Sequence, residues 1–285
     1  MSPPWPDGVR RFMMPDGAFR FLVAHTTAMV GEAARHAQTA PEVTSLYGDL
    51  LTGTLLLELA QAPIDRIQCS LSHSGTVGSL LADVWPGGFV RGRVEHPRAE
   101  HGPYLDLQRG GLLQVSRQPA RGGDLYQSAV PIPPGDSSVA ESLQRYCLES
   151  EQVLTFYALV TIPDPQGGIE RAAGLIIQAL PDARREDLAA LTRCLERARF
   201  EDLVAAGDHP YDATLALFRD LSLHHLGDDP VTYRCRCSVD VAVDAVRLLG
   251  AEAIAAIREG ATESVTCEFC QTVYVIGSRE LGYDA

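Results

Sequence analysis

The chain contains no lysine, and its 24 basic side chains are all arginine. Chemistry that depends on a lysine ε-amine is therefore excluded, including Schiff-base catalysis and phosphate binding by a P-loop. Basic residues never occur more than two in a row, and the formal net charge is −13. Because an acidic protein without a basic patch is repelled by phosphate backbones and anionic lipid surfaces, nucleic-acid and membrane partners are disfavoured.

Long apolar runs and nucleotide-binding motifs are missing as well. No apolar run approaches the roughly 20 residues needed to span a bilayer. Residues 1–7 lack the basic start and apolar stretch of a secretory signal, so we expect a cytoplasmic protein. Because disulfides do not persist in that compartment, the seven cysteines indicate metal binding or redox activity rather than a covalent framework.

Residues 1–181 combine strand-like and helix-like periodicity, which predicts an α+β core domain of antiparallel strands packed with helices. Gly-Gly and Pro-Gly turns separate the strand-like segments. Helices are expected at 26–37 with Thr26 or Thr27 as the cap, at 42–60, and from a cap at Asp136, Ser137 or Ser138 to residue 150. Strands are expected at 9–14, 18–23, 67–72, 89–94, 111–116, 125–130, 154–160 and 173–180.

Residues 182–230 have a different composition from the core. About a third of the residues from Asp182 to Arg234 are charged, against 21% of the whole chain. Helical stripes occur at 182–199 and around 215–221, with few apolar residues to anchor them. Short amphipathic helices of this kind are marginally stable on their own. We therefore expect a metastable linker that is helical when docked and loose when it is not.

Four of the seven cysteines form two tight pairs in the last part of the chain, residues 231–285. Cys235 and Cys237 make a C-x-C motif, and Cys267 and Cys270 make a C-x-x-C motif after a spacer of 29 residues. Two thiolate pairs complete the tetrahedral sulfur shell that structural zinc prefers, so the four are predicted to hold one Zn²⁺. The same pairs can close into disulfides when the metal is lost, so a redox switch is an open second use.

The flanks of the cysteine pairs predict a small folded zinc-binding module. Ser238 has the position of an N-cap for a helix over 239–249, and Gly250 follows that helix. A second short helix is expected to end near Gly260, and a strand is expected at 273–276. This helical hairpin would bring the two cysteine pairs together.

The other thiols and the paired histidines have simpler interpretations. Cys69, Cys147 and Cys194 are isolated on apolar-patterned segments, and we expect them to be small buried hydrophobic residues. His224 and His225 precede the first cysteine pair and are candidate ligands, but a solvated pair is favoured because four sulfurs are already available.

Three segments resemble the 33 kDa chaperonin (heat-shock protein 33) family, the redox-regulated holdase chaperones of bacteria. The order of parts matches over nearly the whole chain. The segments are Cys235-Arg236-Cys237-Ser238 with Cys267-Glu268-Phe269-Cys270 and Tyr274, then Glu149-Ser150-Glu151-Gln152-Val153, and Ala173-Gly174-Leu175-Ile176-Ile177-Gln178-Ala179-Leu180-Pro181. Ala173 replaces the first glycine of the family's G-G-x-L-x-Q-x-x-P strand.

The resemblance implies an ATP-independent holdase that binds unfolding client proteins and is not an enzyme. In the reduced state the four cysteines would hold one Zn²⁺, and the folded module would brace the 182–230 linker against the core. The resemblance further implies that oxidation releases the zinc and forms the disulfides Cys235–Cys237 and Cys267–Cys270. The freed linker and the core beneath it would then bind clients, and the oxidised protein would form a homodimer.

Two other classes of function remain open from the residues. A thiol–disulfide oxidoreductase would use Cys267 and Cys270 as its active pair, although the βαβ context of a thioredoxin-type motif is missing. A zinc-stabilised nucleic-acid module is disfavoured by the net charge of −13.

Overall fold

The computed structural model describes residues 6–61, 64–104, 106, 110–120, 122–134 and 138–283. The cap candidates Asp136 and Ser137 lie outside these residues. The chain divides into two compact units, Met1–Tyr233 and Arg234–Ala285. Both helices and antiparallel sheets are present, which confirms the predicted α+β class. Within the described part of the chain, none of the helices combines the length and apolarity that a membrane span requires.

The larger unit contains the following strands and helices in its described residues. The strands are β1 (Gly8–Met13), β2 (Phe19–His25), β3 (Arg66–His73), β4 (Ser79–Trp85), β5 (Phe89–Val94), β6 (Gly111–Gln118), β7 (Tyr126–Ile132), β8 (Thr155–Pro163), β9 (Ile169–Ala179), β10 (His224–Pro230) and β11 (Thr232–Tyr233). The helices are α1 (Thr27–Ala37), α2 (Pro41–Gln61), α3 (Val139–Glu149), α4 (Arg185–Leu195), α5 (Phe200–Ala206) and α6 (Pro210–Leu217).

Two sheets share the helix α2. The first has the order β10-β1-β2-β9-β8, and the second has the order β11-β5-β4-β3-β6-β7. All pairings are antiparallel except that of β11 with β5. Helix α2 contacts strands of both sheets, and five of its seven leucines are buried, in agreement with the prediction of a well-buried helix; Leu46 and Leu59 are half-buried. The chain passes from the first sheet to the second between β10 and β11, with only Val231 between the two strands.

Strand β4 was not predicted from the sequence. Its residues Leu80, Ala82 and Val84 alternate toward the core, but Asp83 among them is also fully buried. That carboxylate accepts hydrogen bonds from Arg66 Nε at 2.6 Å and from Arg91 Nε at 2.8 Å, on the two neighbouring strands. The charged Asp83 inside the apolar run obscured the strand pattern. Its arginine partners lie on neighbouring strands, and the sequence alone does not show which strands pair.

The segment 182–230 contains more helix and strand than predicted. Helix α4 is shorter than the expected 182–199, α6 begins and ends earlier than the expected 215–221, and α5 lies where a connection was expected. The end of the segment, predicted to be part of a helical linker, is strand β10. Strand β10 has no apolar alternation. It is held by backbone pairing with β1 and by an ion pair between Arg11 Nε and Asp229 Oδ2 at 2.9 Å.

Helices α4, α5 and α6 pack on the apolar face of the first sheet. The rings of Phe21 and Phe218 meet edge to face with centroids 5.1 Å apart. The expectation of few apolar anchors is therefore wrong. The helical side of this interface consists of Leu191, Cys194, Phe200, Val204, Tyr211, Ala213, Leu217 and Phe218. We call the sheet residues beneath it the covered face; they are Phe12, Met14, Phe19, Phe21, Val23, Ala158, Leu175 and Ile177.

A buried carboxyl group on α2 makes the stability of the larger unit depend on pH. Glu58 is fully buried, and neither of its carboxylate oxygens has a hydrogen-bond partner among the described residues. Burial, with smaller contributions from Asp229 and Asp65, raises the pKa of Glu58 to about 8. The folded protein therefore keeps a proton that the unfolded chain loses above its ordinary pKa of 4.5, and stability falls as pH rises from 4.5 to about 8.

We expect Glu58→Gln to remove much of this pH dependence and to stabilise the protein at pH 8, because the amide carries no charge to desolvate. Urea unfolding midpoints at pH 5 and pH 8 measure the effect. Glu42→Gln, at an exposed position in the first turn of the same helix, is the control. An equal drop in midpoint for both variants between the two pH values would contradict the assignment to Glu58.

The smaller unit contains α7 (Val239–Arg247), α8 (Ala251–Arg258), β12 (Glu263–Thr266) and β13 (Val273–Ile276). Ser238 caps α7 as predicted, accepting a hydrogen bond from Val241 N at 3.3 Å. Helix α7 ends at Arg247, two residues before its predicted end, and β12 was not predicted. The apolar core of this unit is small and consists of Ala242, Val243, Val246, Ile257, Ile276 and Leu281.

Candidate metal centre

Two loops of the smaller unit bring its four cysteines together. Cys235 and Cys237 precede the cap of α7, and Cys267 and Cys270 lie in the turn of the β12–β13 hairpin. In that turn, Cys267 N donates to Thr272 O and Gln271 N donates to Cys267 O, both at 2.9 Å. Gln271 has the left-handed φ of 58° that closes the turn. The tight turn therefore places the two thiols of the C-x-x-C motif on one side.

The four Sγ atoms all lie within 4.8 Å of one another. Cys235 Sγ is 3.5 Å from Cys237 Sγ and 3.6 Å from Cys267 Sγ, and Cys237 Sγ is 3.4 Å from Cys270 Sγ. Sulfurs at the corners of a tetrahedron around zinc, with Zn–S bonds of about 2.3 Å, are about 3.8 Å apart. A disulfide bond is about 2.0 Å. The four cysteines are thiols with no disulfide bond among them, and their spacing fits a shared metal ion.

Hydroxyl groups next to the thiols support negative charge on sulfur. Tyr274 Oη donates to Cys237 Sγ at 3.1 Å, and Thr272 Oγ1 lies 3.2 Å from Cys270 Sγ. Burial raises the pKa of Cys270, but hydrogen bonds from the side chain and backbone of Thr272, together with those from Cys237 and Cys235, lower this pKa to about 7. Burial raises the pKa of Cys235 to about 12. From the sequence, Tyr274 was identified only as part of a motif, because its role and that of Thr272 depend on the register of the β12–β13 hairpin.

The remaining candidate residues lie elsewhere. Cys69, Cys147 and Cys194 are buried in the larger unit, as predicted. Burial raises the pKa of both Cys69 and Cys147 to about 12, so these thiols stay protonated. His224 and His225 are exposed, and His225 Nε2 lies 2.7 Å from Asp228 Oδ1. The group of potential metal ligands found in the described residues contains four cysteines and no histidine.

A four-thiol centre of this kind leaves no open position for a substrate, which is typical of a structural rather than a catalytic metal site. The protein therefore belongs to a class in which a larger α+β unit is followed in the chain by a small unit that carries four clustered cysteines. More specifically, the chain belongs to the Hsp33 family: the family model described as Hsp33 protein matches residues 7–277. The resemblance seen in the sequence is confirmed.

Curated relatives and a solved structure agree with this assignment. The chain is 30% identical to a 33 kDa chaperonin of Thermus thermophilus, covering 96% of this chain and 85% of the relative. It is also 30% identical to a 33 kDa chaperonin of Syntrophotalea carbinolica, covering 96% of this chain and 98% of the relative. The crystal structure of a 33 kDa chaperonin from Thermotoga maritima has a TM-score of 0.84 at 22% identity and covers 97% of both chains, which shows the shared fold.

Proposed function

We propose that this chain is a cytoplasmic, redox-regulated holdase chaperone that binds unfolding proteins without ATP. The observation that carries the proposal is the four-thiol cluster, whose first cysteine, Cys235, follows the end of the docked segment 182–230 by five residues. Membership of a chaperone family supports client binding, and the covered face supplies an apolar surface that clients can contact. The division into a core at 1–181, a linker at 182–230 and a switch at 231–285 is part of this proposal.

In the reduced state, Cys235, Cys237, Cys267 and Cys270 would together hold one Zn²⁺. Bound zinc would supply about 10 kcal/mol or more of folding free energy to a module of this kind. The smaller unit needs such a contribution, because its six buried core residues form only a small apolar cluster. Folded units of this size often need a metal or disulfides for stability.

Oxidation would convert the four thiols into the disulfides Cys235–Cys237 and Cys267–Cys270. Formation of each disulfide removes two electrons and two protons from a pair of thiols. One hydrogen peroxide takes them up and is reduced to two waters. No thiolate is then left to hold a metal, and the smaller unit loses its main source of stability. The chain beyond Tyr233 becomes an unfolded tail, and segment 182–230 is released from the covered face. That apolar face then binds clients, and its exposure also favours a homodimer.

The decisive experiment follows the metal, the thiols and the clients together. The reduced protein is treated with hydrogen peroxide at elevated temperature, and zinc content, free thiols and light scattering of a thermally unfolding client are recorded. We expect one zinc per chain to be lost as client aggregation is suppressed. Loss of the metal with unchanged aggregation would reject the holdase function. Mass spectrometry of the peptides separates the proposed pairing from the Cys237–Cys270 pairing, whose sulfurs are 3.4 Å apart.

The second candidate is a thiol–disulfide oxidoreductase, favoured by the lowered pKa of Cys270. Against it, Cys270 is buried, whereas a redox-active thiol of this type is usually accessible. A reductase-coupled turnover assay on the Cys235→Ser variant distinguishes the two functions. Turnover retained in that variant would support the enzyme.

We expect Tyr274→Phe to transfer its metal to a chelator about tenfold faster than the parent, because groups that hydrogen-bond a metal ligand typically contribute 10–100-fold in affinity, and a weaker hold on the metal is expected to appear as faster release. The change removes only the hydroxyl that donates to Cys237 Sγ. Stopped-flow transfer to a coloured chelator measures it. Tyr283→Phe, whose ring lies against Arg258 in the same unit, is the control. Equal transfer rates in the two variants would show that the Tyr274 hydroxyl does not stabilise the bound state.

A further inference from the structure

A group of titratable side chains lies where α6 docks on the first sheet. His209 precedes α6 and is its N-cap, and Pro210 occupies the first helical position. Because proline has no amide hydrogen, the first amide to be capped is that of Tyr211. Tyr211 N donates to His209 Nδ1 at 3.4 Å. The cap therefore depends on an unprotonated Nδ1, since an imidazolium has a hydrogen on both nitrogens and accepts no hydrogen bond.

Two other basic side chains already occupy the surroundings of His209. The ring of His25, at the end of β2, has its centroid 5.2 Å from that of His209. The Tyr211 ring lies 4.6 Å from the His209 ring, and the Arg10 guanidinium of β1 lies 4.2 Å from the Tyr211 ring centroid. A positive charge on protonated His209 would therefore lie beside the basic side chains of His25 and Arg10.

The acidic groups nearby are largely engaged elsewhere. Asp7 accepts hydrogen bonds from Ala28 N at 3.1 Å and Met29 N at 2.6 Å at the start of α1, and it lies 3.5 Å from His25 Nδ1. Asp228 of β10 lies 3.5 Å from Arg10 Nε and 2.7 Å from His225 Nε2.

Charged groups of both signs lie on the other elements around His209. Asp212 of α6 favours a charged His209, in opposition to His25 and Arg10. On β9, Arg171 Nη1 donates to Val204 O of α5 at 2.8 Å. A cavity of about 600 Å³ borders the cluster and is lined by both His25 and His209. Its charged lining includes Asp7, Asp164, Glu170, Arg171 and Asp208.

We propose that protonation of His209 releases α6 from the first sheet, so that a fall in pH opens segment 182–230 while all four thiols stay reduced. This is a trigger separate from oxidation. It rests on the proposed function only for its consequence, which is that the opened face binds clients. The release itself follows from loss of the cap acceptor and from the added positive charge beside His25 and Arg10.

The lowered pKa of His209 sets the direction of the pH effect. Burial, and then the charge of His25, lowers the pKa of His209 to about 4, against an ordinary value of 6.5. Released α6 exposes an imidazole of ordinary pKa, so docking is fully favoured above pH 6.5 and weakens as pH falls from 6.5 toward 4. Between pH 7.5 and 5.5 the docking equilibrium constant is expected to fall several-fold, at most about tenfold, because His209 is only partly buried.

The test uses the reduced, metal-loaded full chain and its His209→Asn variant. Asparagine offers an amide oxygen at the N-cap and does not titrate. Hydrogen exchange of α6, corrected for the intrinsic pH dependence, is measured at pH 7.5 and 5.5 with zinc content at each pH. We expect the parent to lose α6 protection several-fold at pH 5.5 and His209→Asn to keep it. His101→Asn, an exposed histidine of the same unit, is the control and should behave like the parent.

Each outcome decides the proposal. Equal loss of α6 protection in the parent and in His209→Asn would overturn the proposal. Loss of metal at pH 5.5 does not change this conclusion, because it would affect the parent and the variant to the same extent. Unchanged protection in the parent at pH 5.5 would also overturn it. Client aggregation is measured separately. If α6 opens through His209 and clients still aggregate, the proton trigger stands and the holdase function of the covered face fails.

Discussion

The Gly88→Ala variant is expected to hold unfolding clients while fully reduced and metal-loaded, a state in which the parent protein is expected to be inactive. Gly88 precedes β5 and has a left-handed φ of 74°. A Cβ at this position would lie 1.8 Å from Pro230 O and 2.9 Å from Pro230 C. Because these are backbone atoms, the chain between β10 and β11 must move away. This displacement would also break the hydrogen bond from Thr232 N to Gly88 O, which is 3.0 Å long in the parent protein.

Displacement of β11 should loosen segment 182–230 without any change at the thiols. Gly87→Ala is the matched control, because Gly87 has a similar φ of 90° but its Cβ would approach only the flexible ring of Phe89, at 3.3 Å. The left-handed strain of about 1–2 kcal/mol is therefore common to both variants. Zinc content and client light scattering are measured in the reduced state. If reduced Gly88→Ala does not suppress client aggregation, or suppresses it no more than Gly87→Ala does, then β11 does not restrain segment 182–230.

The Cys267→Ser variant is expected to bind no zinc at equimolar chelator and to hold clients without any oxidant. A hydroxyl is a poor substitute for a thiolate ligand of zinc, and three sulfurs no longer complete the shell. Without that shell the smaller unit should lose α7 and α8, because its own apolar core is too small to hold them. Circular dichroism, metal analysis and the client assay record the three effects.

Cys69→Ser makes the same chemical change at a thiol outside the cluster and should keep zinc and peroxide control. Cys69 is buried in the larger unit, so some loss of general stability is expected there. The two variants therefore separate loss of the metal centre from loss of a sulfur atom in general. A reduced Cys267→Ser protein that has lost its zinc and still fails to hold clients would contradict the proposed link between the thiols and the covered face.

The parts that were predictable from sequence are those encoded by local patterns. Helix α2 and the cap at Ser238 follow from residues within one or two turns of each other. The four cysteines were found because two short motifs occur in one terminal region, and the fold brings their sulfurs together.

The parts that sequence reasoning missed depend on partners that are distant in the chain. Strand β10 is defined by its pairing with β1, more than 200 residues earlier, and its own residues show no strand periodicity. Asp83 looks like an interruption until Arg66 and Arg91 are placed beside it by the sheet. The contact of His209 with His25 is of the same kind, because an N-cap histidine gives no signal of the ring it faces.

The change of sheet at Val231 sets the order in which segment 182–230 would open from the side of the thiols. Strand β11 is two residues long and β10 is seven, and they belong to different sheets. An unravelling that starts at the thiols must break the short parallel pairing first and reach the longer antiparallel one afterwards. On this route we therefore expect a half-open state, with β11 detached from β5 and β10 still paired with β1. Closing runs through the same state in reverse, so a segment stopped there can re-close without searching for its register.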